Sequence, residues 1–321
     1  MRLTRLAGVS AERTVRTLAW LACECAADAL LVADLAGAPA GLLGVFQRPG
    51  RSGEAHELRA SCGGRSARIG PGCVLLCARA ADPAAWLAEP TPVQSGPRLL
   101  NRWVRGVLAG LTPFGVRASY PGRDFVVGGG RRIAQLALGR DARGGLLFQA
   151  VCAAERTVAG GEADPAFPGL PPLPPAGTLG VPAAALADAL AAGFAARFGL
   201  AFEPHPAGEA EPPALADPEL AGLASAGPVA TPIGELEAHV SLAAGGSLER
   251  VRLRGDFMAA PGALRALEES LVGLEPGAAR VRELAGRWLA APDASVVGVT
   301  DARTLAEAIA RSATHSGSAS S

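Results

Sequence analysis

The sequence predicts an α+β chain of two domains joined by a loosely built connection. Three observations carry that reading. Strand-length apolar runs at 41–47 (GLLGVFQ), 73–79 (CVLLCAR) and 145–153 (GLLFQAVCA) alternate with stretches of helical period at 98–111 and 182–198. A stretch rich in Pro, Ala, Gly and Glu, 201–230, has weak periodicity and the composition of a linker. Beyond it, period-two alternation over 235–257 predicts a β-hairpin, with helical segments after it. A length of 321 residues suits about two domains.

Taken in order, residues 12–33 are rich in Ala and Leu with charges on one side and read as a helix. Residues 59–72 (RASCGGRSARIGPG) read as a glycine-rich turn region. In 98–111, Leu100, Trp103, Val104, Val107, Leu108 and Leu111 share one helical face. A second hairpin spans 125–138 and turns at Gly128–Gly130. The Pro-rich stretch 165–182 excludes regular structure in its interior. Over 182–198, Leu186, Leu190, Phe194 and Phe198 recur every four residues, predicting a helix. Two short helices are expected near 261–272 and 277–290, and a last one near Asp301 as N-cap. The sequence therefore divides into a first domain at 1–200, a linker at 201–230, a second domain at 231–314 and a disordered tail at 315–321.

Composition excludes several function classes. The 30 basic residues, all arginine, balance 30 acidic ones, which argues against a dedicated nucleic-acid or electrostatic membrane binder. No apolar run reaches the roughly 18–20 residues of a membrane span, and the first residues lack a signal-peptide block, so a cytoplasmic protein is expected. The six cysteines form no Cys-x-x-Cys pair and lie far from the four histidines, so a zinc site is not expected. The absence of lysine excludes a P-loop and a Schiff-base enzyme. No Gly-x-Ser-x-Gly elbow occurs. Cys62 and Cys152 are the only cysteines near the motifs below, and they read as buried thiols rather than nucleophiles.

Three features concentrate the chemistry. In RASCGGR, Gly63 and Gly64 allow backbone N–H groups to approach a phosphate, with Arg59 and Arg65 for charge-assisted bonds; an ordinary glycine turn with solvated arginines is the plainer reading. Asp124, before a strand, reads either as a magnesium ligand or as a turn cap. Arg250, Arg252 and Arg254 share one strand face, either as a basic stripe or as a solvated surface.

Gly44–Gln47 (GVFQ), Arg59–Arg65 and the hairpin Asp124–Leu138, with Gly255–Met258 (GDFM) and the Leu-rich helix after it, follow one another in an order that resembles the lipoate–protein ligase family of the biotin/lipoate ligase superfamily. The resemblance covers most of the chain. It implies a mixed-sheet catalytic domain and a small α+β accessory domain. It implies ATP and magnesium as cofactors, lipoate or a related acyl acid as substrate, and a lysine of an acceptor lipoyl domain as target. The acyl carboxylate would attack the ATP α-phosphate, giving acyl-AMP for transfer. The binding residues so implied are Gly44, Phe46, Gln47, Arg59, Ser61, Gly63, Gly64, Arg65, Asp124 (also magnesium) and Gln135, with Arg132 at the catalytic position. The basic stripe would receive an acidic lipoyl domain.

The departures are specific. The family's catalytic lysine is Arg132 here, a wide planar fork in place of a compact charge. Gln135 stands where a small glycine is usual, Arg123 replaces a neutral amide, and Ala60 replaces the second arginine of a pair. The His-Asp sequence expected after the glycine loop is missing around Arg68 and Ile69. An impaired ligase is one reading; a non-catalytic homologue binding an acyl group, a nucleotide or a lipoyl domain is the other.

Overall fold

The computed structural model describes residues 1–86, 95–158 and 170–318; the Pro-rich stretch is described from Leu170 on, and 319–321 of the expected tail lie outside the described residues. The chain opens with a strand absent from the sequence reading, β1 (Arg2–Val9), then α1 (Ala11–Cys23) and β2 (Ala29–Leu35). The helix expected over 12–33 is thus a helix followed by a strand. Ser10 caps α1, its hydroxyl accepting from the Arg13 amide. β2 sends Leu30 and Val32 into one core and Leu31 and Ala33 into another. A strand buried on both faces is a continuous apolar run, which periodicity cannot separate from a helix.

β3 (Ala40–Leu43), β4 (Glu57–Arg59) and β5 (Ala67–Ile69) form a small three-stranded sheet around the glycine loop. The strand expected at 41–47 stops at Leu43, because Gly44–Gln47 is a turn closed by the Gln47 amide on the Gly44 carbonyl at 3.0 Å. Then come β6 (Cys73–Ala80), α2 (Pro83–Trp86), α3 (Gly96–Leu111), β7 (Ala118–Ser119), β8 (Phe125–Gly128), β9 (Arg131–Arg140), β10 (Leu146–Ala153) and α4 (Ala183–Phe198). With β11 (Glu203–Pro204), eight strands make a mixed sheet in the order β11-β1-β2-β6-β10-β9-β8-β7. β1 is parallel to β2 and β11, and the other neighbours are antiparallel.

Trp103, Val104 and Val107 of α3 and Leu186, Leu190 and Phe194 of α4 cover one face of this sheet. α1 and the small sheet cover the other through Val15, Leu18, Leu42 and Ile69. α3 and α4 touch backbone to backbone, since a Cβ on Gly193 would lie 2.3 Å from the Gly110 nitrogen.

The C-terminal unit comprises β12 (Val229–Thr231), β13 (Gly234–Leu242), β14 (Leu248–Gly255), α5 (Pro261–Ser270), α6 (Ala279–Ala290) and α7 (Ala302–Ser318). Asp301 caps α7, accepting from the Thr304 amide at 2.8 Å. The helix continues to Ser318, so 315–318 of the expected tail are helical. Ile233, Met258 and Val297 of this unit are buried in the same cluster as α3 and α4, so the two units share core.

The α3–α4 contact yields a test. Gly193→Ala places a methyl group against backbone, and overpacking of this kind costs about 1–3 kcal/mol; urea denaturation is expected to show the lowered midpoint with an unchanged fold by circular dichroism.

Candidate functional site

The motif residues converge where the glycine loop, the β8–β9 hairpin and the end of β14 meet, on the sheet face away from α3 and α4. Antiparallel pairing sets Phe125 opposite Gln135, and a bulge follows at Val127, which is opposite Arg132. Gln135 thereby faces the loop, while Ala134 and Leu136 join the core beneath α3.

Asp124 is fully buried, and both of its carboxylate oxygens are engaged. Arg65 donates from Nε to Oδ2 at 3.1 Å and from Nη2 to Oδ1 at 3.3 Å. Gln135 Nε2 donates to Oδ2 at 2.6 Å and to the Asp124 carbonyl at 2.8 Å. This arrangement answers the need of a buried charge for a hydrogen-bonded partner. Both Asp124 oxygens are thus already held by protein donors, and no group of three or more His, Cys, Asp or Glu suited to a metal occurs among the described residues.

Arg59, also buried, does not face a ligand. Nη1 donates to the Val45 and Gln47 carbonyls at 2.9 and 2.6 Å, and Nη2 to the Leu215 carbonyl at 2.9 Å. Burial, with Arg254 nearby, lowers its pKa from the usual guanidinium value, against the opposing charges of Asp217 and Glu57. It pins the Gly44–Gln47 turn, whose Gly44 amide donates to Gln47 Oε1 at 2.7 Å. Phe46 stacks on Phe257 of the C-terminal unit at 4.8 Å.

The glycines serve close packing. A Cβ on Gly44 would lie 2.3 Å from the Gly64 carbonyl oxygen, and one on Gly63 would lie 2.7 Å from the Phe257 oxygen and 2.9 Å from Met258 Cα. The Gly63 amide is already spent on the Leu138 carbonyl at 3.1 Å. Ser61 is half-buried beside Gly139. The cavity enclosed by Leu43, Gly44, Cys62, Arg65, Gln135 and Gln149 measures about 10 Å³, room for about one water. In this arrangement the Gly63 amide and the Asp124 carboxylate both face protein partners, and the space between the loop and the hairpin holds about one water.

Arg132 lies on the same sheet face as Gln135. Its Nε donates to the Pro174 carbonyl at 3.0 Å, and its backbone pairs with Pro175 and Gly177 of the Pro-rich segment. The Cys62 and Cys152 thiols are buried, and burial pushes Cys152 up to about 12 and Cys62 well above the usual thiol range, so neither is an available thiolate.

The arginine stripe of β14 is neither solvated nor open. Arg254 pairs with Asp217, Arg252 with Glu219, and Arg250 donates to the Glu219 and Ala221 carbonyls. Both readings of the stripe are thereby corrected: the chain's own 217–221 segment occupies it. This pairing is invisible in the sequence, because two acidic side chains in a Pro-rich connection carry no period.

Asp256 lies within the GDFM segment. It is buried at the junction, accepting from Gln47 Nε2 and the Glu235 amide beside Arg51. Burial raises its carboxyl to about 6, against the lowering influence of Arg51 and Arg65.

No family model and no curated protein matches the sequence. Among solved structures, the chain is similar to the P. falciparum LipL1 in complex with lipoate (TM-score 0.49, 10% identity, 79% of this chain and 84% of that one). It is also similar to a bi-partite lipoate protein ligase from Thermoplasma acidophilum (TM-score 0.46, 13% identity, 65% and 87%), and to lipoate-protein ligase A bound with ATP (TM-score 0.47, 11% identity, 65% and 89%). Biotin protein ligases are among the further matches. With TM-scores under 0.5 and identities this low, no functional inference rests on these likenesses; it rests on the side chains.

Two outcomes follow. Asp124→Asn leaves the half-buried Arg65 without the Asp124 carboxylate, and breaking such a pair costs at most about 3–5 kcal/mol; a fall in the urea midpoint is expected. Asp256 has a folded value of about 6 against an unfolded value of about 3.9, so the folded state holds the proton more tightly. The associated stability is present below about pH 4, is lost as pH rises through about 6, and is absent above it. The melting temperature of Asp256→Asn minus that of the parent is therefore expected to be several degrees more positive near pH 7.5 than near pH 4.5.

Proposed function

We propose that the chain is a lipoate–protein ligase-like protein whose adenylating chemistry is impaired. The observation that carries this reading is the buried Arg65–Asp124–Gln135 cluster, closed over by Phe257 and Met258. The order of the glycine loop, the hairpin and the GDFM strand supports the ligase-like frame, and the absence of lysine together with the saturated cluster supports impairment. Acyl activation joins two anions, so cations must be aimed at developing charge rather than at the protein's own groups. Here Arg65 is held by a carboxylate, and Arg59 and Arg132 donate to backbone carbonyls. What the residues do in this arrangement is fix the loop, orient Gln135 and exclude water from the junction. A loss of 3–4 kcal/mol of transition-state stabilisation corresponds to roughly a hundred- to thousandfold in rate.

The test is transfer of a lipoyl or octanoyl group to an acceptor lipoyl domain, followed by mass, with magnesium-ATP present and a lysine-bearing ligase run in parallel. The expected rate is at least about a hundredfold below that of the parallel enzyme, and Arg132→Lys alone stays close to the parent because the cluster around Asp124 is unchanged. A parent rate equal to that of the lysine-bearing ligase would overturn the reading.

A further inference from the structure

We infer that the acidic segment 215–221 is a self-docked strap that keeps the glycine-loop site closed, and that its release from β14 opens that site. The inference concerns regulation of the same site and rests on the ligase-like reading for what the site acts on.

β14 engages the strap in steps of two. Arg250, Arg252 and Arg254 point to one face through the strand period. Asp217 accepts from Arg254, with Oδ1 at 3.1 Å from Nη2, and Glu219 Oε2 accepts from Arg252 Nε at 2.9 Å. The Glu219 and Ala221 carbonyls accept from Arg250 at 2.8 and 3.2 Å. Residues 217, 219 and 221 thus follow 254, 252 and 250 in antiparallel order. Arg265 of α5 clamps the other Glu219 oxygen at 2.7 Å. These bonds all run through arginine side chains, and Pro218 has no N–H to give to a sheet ladder. A backbone ladder would make 215–221 part of the sheet. Charge pairs on partly exposed side chains, each weak alone, hold it as a separable piece. The segment is also anchored on both sides. The Ala210 amide donates to the Arg16 carbonyl at 3.0 Å, and Ala224 exchanges both backbone bonds with Val240 at 2.9 Å. Residues 211–223 therefore lift as a loop with both anchors in place.

Arg59 connects the strap to the site. Its Nη2 donates to the Leu215 carbonyl, while Nη1 holds the Val45 and Gln47 carbonyls of the turn. Leu43 and Gly44, where that turn begins, wall the small cavity with Cys62, Arg65 and Gln135. Asp217 stands close enough to both Arg59 and Arg254 to offset their mutual repulsion. Release of the strap leaves Arg59 with Glu57 and Arg254 with Glu268, and removes the charge that both share. Repulsion between the two guanidinium groups then drives Arg59 from its buried seat and frees the turn. Arg59 Nε is already buried without a hydrogen-bond partner, so the closed arrangement carries a cost that opening relieves. Strap and turn are thereby one two-state element, and whatever opens the turn loosens the strap by the same factor.

Labelling of the full chain with N-ethylmaleimide tests this, with each labelled cysteine located by peptide mass. Cys62 is buried in the cavity wall, so it reacts when the turn opens. Cys77 and Cys152, buried on β6 and β10 of the large sheet, report unfolding of the whole domain. In Asp217→Asn/Glu219→Gln, Cys62 is expected to label at least about tenfold faster than in the parent, with Cys77 and Cys152 unchanged. Glu219→Gln alone, at a partly exposed carboxylate, guards against a double variant that does not fold, and is expected to give a smaller rise. Glu209→Gln loosens the same segment only on the α1 side, where Glu209 pairs with Arg16, and is expected to match the parent. The inference is overturned if Cys62 labels at the parent rate in both β14-facing variants, or if it accelerates only together with Cys77 and Cys152. An acceleration in Glu209→Gln equal to that of the double variant also overturns it, since the turn would then answer to any loosening of the segment. The labelling contains no ATP and no acyl acid, so its failure leaves the acyl-transfer test standing. Equal transfer by the parent and the lysine-bearing ligase overturns the proposed function and leaves the strap's hold on the turn intact.

Discussion

The ion pair of Arg65 with the fully buried Asp124 is the interaction on which the rest of the junction depends. An isolated carboxylate at that depth would be untenable, and one guanidinium does not satisfy all of its lone pairs. Gln135 supplies further donors and completes the cluster. The glycine loop must then sit within reach of Asp124, which brings Gly63 against the Phe257–Met258 backbone and seats the C-terminal unit on the loop. Phe46 stacking on Phe257 and Gln47 bonding to Asp256 are consequences of that seating.

Arginine carries a structural load throughout this lysine-free chain. Its planar fork of five donors can satisfy several buried acceptors at once, which an ammonium on a flexible stem does less readily. Arg79, almost fully buried, pairs with Asp141 and also reaches the Ala27 carbonyl. Arg59 ties three backbone carbonyls from two segments far apart in sequence. In each case the property that makes arginine a good phosphate ligand is used to close the fold, so the residue type alone does not distinguish a ligand-binding cation from a structural one.

That ambiguity explains what was legible in the sequence. Elements with a clear period were found close to their observed bounds: α3 from its one-faced apolar stripe, β13 and β14 from alternation around AAGGS, and α7 from Asp301. β2 reads as helix because burial on both faces erases the period, and β1 escapes the pattern because RLTRLAGV mixes charge with small residues beside the two-residue edge strand β11. At the site, Arg65 and Gln135 both bond to Asp124, and Gly63, Arg65 and Gln135 line one small cavity. What the order could not convey is that they satisfy one another. Partner choice is decided by three-dimensional distance, and Asp217 and Glu219, the residues that cover Arg252 and Arg254, lie in a segment whose composition marks it only as a connection.

The two voids on this sheet face make a physical contrast. Around the glycine loop every polar atom of the Asp124 carboxylate has a protein partner, and the space left is that of about one water. Between Pro121, Pro171, Pro172 and Pro174 and the C-terminal unit the proline walls offer no amide donors, and the space stays open. A cleft closes when its facing groups complement each other, and proline walls facing Phe125, Val127 and Val297 offer only weak, non-directional contact across the gap. Closure at the loop and openness at the proline cleft thus have one cause, the distribution of hydrogen-bonding capacity over the face. One side chain bears on each: Gln135 supplies donors at the loop, and Arg123 sits beside the Phe125 ring at the apolar void.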